Sequence, residues 1–211
     1  MKPLHFALSL ILIFVIISCS NDEDHQAANF QMEFADLLTD ASGAASTLLT
    51  DKGEKLQVVN PIRNLSPDTT FRYVVIFVRQ TNGIRISSSA PVLCGQPSSF
   101  YYTPIFTDSV QLQSIWRSSH YINLTLLVWG KNKRHTFGFV NRGVTTASDG
   151  HHILHLQLYH NSDSDMLAFP HTSYLSCSLK PFQTTFSTAR DSIYFVINEI
   201  GKGPVQHRLA Y

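Results

Sequence analysis

The chain lacks a surplus of either charge: 16 Lys and Arg stand against 15 Asp and Glu in 211 residues. A nucleic-acid binder needs excess positive charge to displace phosphate counterions, so no nucleic-acid partner is expected. The same balance gives no polybasic support for peripheral membrane binding. Cysteines are few, three in all, and their spacing carries no disulfide framework. No Gly-x-Ser-x-Gly elbow and no His-Glu-x-x-His zinc signature is present. Asp163 and Asp165 imitate part of a calcium loop, but the glycine and distal glutamate are missing, and the stretch reads as a polar hairpin tip. Gly201-Lys202-Gly203 has no strand-to-helix context for phosphate and reads as a turn. These absences leave no catalytic residue, no metal site and no cofactor to assign, so the chain is read as a non-enzyme.

What is present begins with the leader. Lys2 and His5 precede an apolar run from Phe6 to Ile17, and Ser18-Cys19 and the acidic Asp22-Glu23-Asp24 follow. This is the layout of a secretory signal peptide. The run has 12 residues, short of the roughly 20 a membrane span needs, and no other segment is long enough. Ile16-Ile17-Ser18-Cys19 resembles a bacterial lipobox. The resemblance implies cleavage after residue 18, acylation of Cys19, and a soluble body tethered to the membrane through lipid. Cleavage leaves 193 residues and, with Lys2 removed, 15 charges of each sign. Residues 19–28 read as a polar, flexible tether. Cys94 and Cys177 remain in an oxidising compartment, where they either pair or stay free; Cys177 alternates with Leu175 and Leu179, as a buried thiol would.

The body reads as all-β. Phe30–Ala35 alternates apolar and polar, and Thr47–Thr50 and Lys55–Val59 flank a turn at Asp51-Lys52-Gly53. Phe71–Val78 is apolar on both faces and predicts a central strand. Thr81-Asn82-Gly83 turns it into Ile84–Ser87. Ser88–Thr107, with Pro91, Pro97 and Pro104, reads as an irregular crossing between two β modules, with a boundary near Thr107. Strands are then expected at Val110–Trp116, Tyr121–Trp129, His135–Val140, His151–His160, Ser173–Leu179, Ser192–Asn198 and Val205–Leu209, a pattern that fits a sandwich. Ile122, Leu124, Leu126 and Val128 share one face of their strand; Tyr121, Asn123, Thr125, Leu127 and Trp129 share the other. Short helices are entertained only near Ser98–Phe100 and Phe186–Arg190.

Ile115-Trp116, His120-Tyr121-Ile122-Asn123-Leu124, His135-Thr136-Phe137-Gly138-Phe139-Val140 and the Leu-rich His151–His160 stretch with Asn161 resemble, in that order, the C-terminal domain of NigD-like lipoproteins. Asp51-Lys52-Gly53-Glu54-Lys55-Leu56 and Tyr73–Arg79 are similar to the family's N-terminal half, more weakly. His120 stands where the family has Gly, and the Ser88–Thr107 crossing is longer than the pattern. The resemblance implies an N-terminal OB-like barrel over 29–107 and a C-terminal immunoglobulin-like sandwich over 108–211. The family brings no catalytic residues, and its name derives from a bacteriocin cluster with a suggested immunity or accessory role. The acidic residues after Cys19 resemble an export signal for the cell surface in that lineage, with the periplasmic leaflet of the outer membrane as the other placement.

Three groups of side chains remain for chemistry. His151 and His155 share a strand face but lie about 13 Å apart, too far for one ion; a metal would need histidines from separate strands, and hydrogen-bonded or solvated histidines are the plainer reading. Phe100-Tyr101-Tyr102, in the crossing, form a candidate platform for a protein or glycan partner, or else seal the junction between the modules. Trp116 and Trp129 are expected in core or inter-sheet packing. Asp108-Ser109-Val110 and Asp191-Ser192-Ile193 resemble an O-glycosylation acceptor at Ser109 and Ser192. The expectation is a monomeric, lipid-tethered binding or accessory module. Bacteriocin immunity or regulation, and a cryptic glycan or peptide hydrolase, are the competing readings.

Overall fold

The computed structural model describes residues 29–99 and 103–211. The leader, Cys19, the tether and the Phe100-Tyr101-Tyr102 platform lie outside the described residues. Within them the chain is all-β, with thirteen strands and one short 3₁₀ turn at Lys180–Phe182. Phe186–Arg190, a candidate helix by sequence, is loop and turn.

The first five strands close a barrel: β1 (Gln31–Thr39), β2 (Ala45–Thr50), β3 (Lys55–Ile62), β4 (Thr70–Gln80) and β5 (Gly83–Pro91). Their order around it is β1-β2-β3-β5-β4, and β4 pairs back onto β1. This is the OB-like connectivity that the resemblance implies. The contact of β3 with β5, parallel at Val58 and Ile84, closes the barrel. Gly83 makes that approach possible. Its φ is +139°, and a Cβ there would lie 2.4 Å from the Gln57 carbonyl oxygen of β3. Leu37, Leu48, Val75, Phe77 and Ile84 fill the interior without exposure.

β5 runs to Pro91, beyond the expected Ser87, because Ser89, Ala90 and Pro91 continue the ladder opposite Val75, Val74 and Tyr73. Proline is tolerated where the strand ends. Two residues later β6 (Leu93–Gly95) lies in parallel beside β11 (Phe169–Ser178). The stretch expected to be irregular therefore contains a strand of the second module.

That module is a sandwich of two four-stranded sheets. One runs β6-β11-β8-β7, with β7 (Gln111–Ser118) and β8 (Tyr121–Gly130). The other runs β13-β12-β10-β9, with β9 (Thr136–Thr146), β10 (His152–Asn161), β12 (Ser192–Glu199) and β13 (Gly203–Ala210). Ile122, Leu124, Leu126 and Val128 of β8 meet Leu154, Leu156, Phe195 and Ile197 in the core between the sheets. Removing such side chains from water contributes about 1.5–3 kcal/mol each.

The opposite face of β8 explains why that strand and β4 carry apolar residues on both sides. In β4, Tyr73, Val75 and Phe77 point into the barrel, while Val74 joins Phe34 and Val92 in a separate buried cluster outside it. Trp116 of β7 and Tyr174 of β11 pack on that cluster from the sandwich. The barrel thus sits on the outer face of the β6-β11-β8-β7 sheet. Trp116 packs on the buried cluster between the modules, which fits the expected core packing, and not between the two sheets of the sandwich. It meets Phe34 edge-on at 4.9 Å. Trp129 is half-buried near the end of the same outer face.

Candidate functional site at the module junction

Arg72 is the one cation in the apolar run Phe71–Val78 of β4, on the strand face turned toward the sandwich. An unpaired charge there would be strongly disfavoured, and all five of its N–H donors are used. Nη1 and Nη2 each lie 2.7 Å from an oxygen of Asp51, in the β2–β3 turn. Nη1 also donates to Asp36 at 3.2 Å, Nη2 to Asn123 Oδ1 at 3.1 Å, and Nε to Ser176 Oγ at 3.2 Å. The Tyr121 ring covers the guanidinium, its centroid 4.0 Å from Cζ.

Asn123 is equally committed. Its Oδ1 accepts from Arg72 and from Ser176 Oγ at 2.6 Å, and its Nδ2 donates to Asp51 at 3.1 Å and to Ser118 Oγ at 2.6 Å. Ser118 Oγ donates to Asp51 as well. Burial works against the Arg72 charge, but Asp51 and then Asp36 outweigh it and hold its pKa above the ordinary arginine value. Burial first, and then the Asp36 charge, push the Tyr121 phenol well above its usual range. Asp36 and Asp51 come from the barrel; Asn123, Ser118, Tyr121 and Ser176 come from the sandwich. The network is a polar rivet between the modules.

Beside it opens a groove of about 610 Å³, lined by Met32, Phe34, Lys52, Ser114, Trp116 and Thr125 among others. A second groove, of about 570 Å³, lies where Leu93, Phe137 and Tyr174 meet the end of the barrel. The centre of the junction is sealed, and its flanks are concave and mostly apolar.

The histidines do not converge on a metal. Among the described residues no group of three or more His, Cys, Asp or Glu is placed to hold an ion. His160, 2% exposed, lies with its Nδ1 2.9 Å from the Asp108 carbonyl oxygen. A carbonyl only accepts, so Nδ1 carries the proton, and Nε2 accepts from His135 Nδ1 at 3.0 Å. Burial pushes the His160 pKa below the ordinary value. His155 bonds Thr145, and His151 bonds Asp149.

Asp165 is held by the backbone N–H groups of Lys131, Lys133 and Met166. Burial opposes its charge, but these bonds bring its pKa down to about 2. Its role is to clasp the β8–β9 turn. Gly130 permits this, since a Cβ there would fall 2.8 Å from the Asp165 carboxylate.

Ser119 Oγ lies 3.0 Å from His120 Nδ1, but His120 Nε2 is buried without a partner, so no carboxylate orients the ring as a triad requires. Cys94 and Cys177 are both free. Cys94 aligns with Ser176, whose hydroxyl faces the rivet, whereas Cys177 is wholly buried in the sandwich core; they occupy opposite faces of one sheet. Ser109 is exposed, while Ser192 is 4% exposed with a buried, unpartnered hydroxyl.

The family model described as the NigD-like C-terminal beta sandwich domain matches residues 101–211, more than half of the chain. The chain belongs to the NigD-like family. Tyr121 and Asn123, which carried the resemblance, are thus two of the side chains by which this NigD-like protein grips its own barrel. Solved structures share the fold over both modules. A NigD-like immunity protein from Bacteroides caccae ATCC 43185 is 22% identical with a TM-score of 0.65, covering 84% of this chain and 91% of its own. A protein of unknown function from Bacteroides vulgatus ATCC 8482 is 19% identical, TM-score 0.64, covering 86% and 91%. A candidate lipoprotein from Bacteroides fragilis NCTC 9343 is 13% identical, TM-score 0.58, covering 86% and 98%. No curated protein matches.

The rivet was not anticipated as a site. Its signal was Arg72 standing alone within Phe71–Val78, since a single charge in a two-faced apolar strand needs a buried partner.

Proposed function

We propose that this NigD-like protein is a non-catalytic binding or accessory module, tethered through acylated Cys19 to the outer membrane and displayed at the cell surface. The observation that carries this reading is the division of labour at the junction. The charged groups of the rivet are spent on one another, and what stays open beside them is an aromatic-edged groove at Trp116 and Met32, which Glu33 and Lys52 also line. Such a surface suits capture of a protein or glycan. No helix among the described residues is long and apolar enough to cross a membrane, which is compatible with an anchor made of lipid. The test is capture from outer-membrane extracts with the wild-type chain and with Trp116→Ala. A partner retained by the first and lost by the second is expected; the same proteins and glycans on both would overturn the assignment of the groove. Surface display predicts that protease added to intact cells trims the protein, and an untouched protein would move it to the periplasmic leaflet.

Bacteriocin immunity is favoured by one observation, the description of the B. caccae relative as an immunity protein. A deletion strain should then become sensitive to bacteriocins of neighbouring strains. Unchanged resistance would remove this reading.

A further inference from the structure

β1 runs antiparallel to β8 across the junction. Asp36 meets Tyr121, and Phe34 meets Trp116, which aligns with Asn123. Met32 shares the groove with Thr125 and Ser114. Each two-residue step toward the start of β1 is thus a step toward the end of β8 at Gly130. Phe30 therefore lies toward that end.

The same end gathers most of the large exposed apolar side chains. In the β10–β11 loop and the residue opening β11, Met166 is 62% exposed, Leu167 75% and Phe169 61%; Phe30 is 59% and Met32 55% exposed. Phe169 is paired with Gly130, and Phe106, 40% exposed, accepts through its carbonyl from the His160 amide at the end of β10. Soluble surfaces rarely concentrate so much apolar area without use for it. The adjoining β8–β9 turn exposes Lys131, Lys133 and Arg134. Of the acids nearby, Asp165 has its side chain 2% exposed and bound by backbone N–H groups, Asp108 is bound by the Ser162 amide and hydroxyl, and Asp163 is paired with Lys133 at 3.6 Å. The Asp165 clasp fixes the basic turn beside the apolar loop. Cations and acids are equal in number here, but among the described residues Lys131 and Arg134 carry no ion pair and stand exposed.

We propose that this end of the molecule is a membrane-docking face. Met166, Leu167 and Phe169 enter the interface of an anionic bilayer, and Lys131, Lys133 and Arg134 meet its headgroups. The chemistry is that of interfacial anchors, apolar side chains below and cations above. The proposal rests on the tethered reading for its biological setting. The ten residues from 19 to 28 reach at most about 35 Å, so lipid on Cys19 would hold this end at the surface. The body would then lie against the bilayer, with the junction groove on the flank.

Flotation with vesicles tests the face without the anchor. The chain from residue 20 onward, which keeps every described residue, is mixed with phosphatidylethanolamine vesicles with and without 30% phosphatidylglycerol. Binding should rise with the anionic lipid and weaken with salt. Neutralising Lys131 or Lys133 to Gln should weaken it about fivefold each, and Leu167→Asp should abolish it while leaving the melting temperature unchanged. Flotation no greater than without vesicles, or equal for wild type and Leu167→Asp, would overturn the proposal and return the patch to a protein partner. The tether is read separately, from the mass of the native protein: an unacylated Cys19 would sink the tethered reading and leave the vesicle result standing.

Discussion

Arg72 of the barrel donates through Nη2 to Oδ1 of Asn123 in the sandwich over 3.1 Å, and with that bond the side chain of each residue has no hydrogen-bonding capacity left over. A fully satisfied buried network is tolerant of nothing at its centre. Arg72→Leu would leave Asp36 and Asp51 buried without a counter-charge, and urea unfolding should show a loss of about 3–5 kcal/mol. Asn123→Leu should cost about 1–3 kcal/mol. A double mutant at the sum of the single losses would show that the two residues do not act as one unit.

The cysteines should separate by position. Burial raises both thiol pKa values, Cys177 by far the more, but Cys94 is exposed to reagent and Cys177 is wholly buried. A maleimide reagent at pH 7.5 should label one body cysteine in the folded protein and two in denaturant. Two labels in the native state, or an intramolecular disulfide in protein from its native host, would contradict the opposite-face placement.

Acid should destabilise the sandwich in two windows. The folded pKa of His160 lies below its unfolded value of 6.5, so the unfolded chain binds the proton first. The stability this contributes is complete above 6.5 and is lost as pH falls from there through the folded value. Asp165 follows lower, between 3.8 and about 2, by the same sign. Comparing melting temperatures of wild type and His160→Gln from pH 7.5 to 5 checks the first window; the variant should show the shallower decline. An identical slope would mean that His160 does not contribute.

The two O-glycosylation motifs should behave differently. Ser109 is exposed in the link before β7, and Ser192 is buried in β12. Peptide mass spectrometry of protein from its native host should find any glycan at Ser109 and an unmodified Ser192. A glycan on Ser192 would require attachment before folding.

Much of the fold is legible because alternation and turn residues are local signals. Asp51-Lys52-Gly53 and Thr81-Asn82-Gly83 turn the chain where expected, and the inward face of β8 is the set read from its spacing. Three things were hidden for one reason, that each depends on a partner far along the chain. β6 is too short to announce itself and exists because β11 offers an edge. Trp116 looks like sandwich core until the barrel arrives on its outer face. The polar rivet draws on residues from Asp36 to Ser176, and no window of sequence spans it. The face at Lys131 and Leu167 likewise joins two loops far apart in the sequence.

The early entry of Leu93–Gly95 into the second sheet limits where the two modules can be cut apart. A sandwich copied or cut from residue 101 onward, where the family match starts, would lack its flanking strand and bare the backbone of Leu175–Cys177 to any passing chain. The last few residues of the barrel's half are therefore the sandwich's own guard against edge-to-edge pairing.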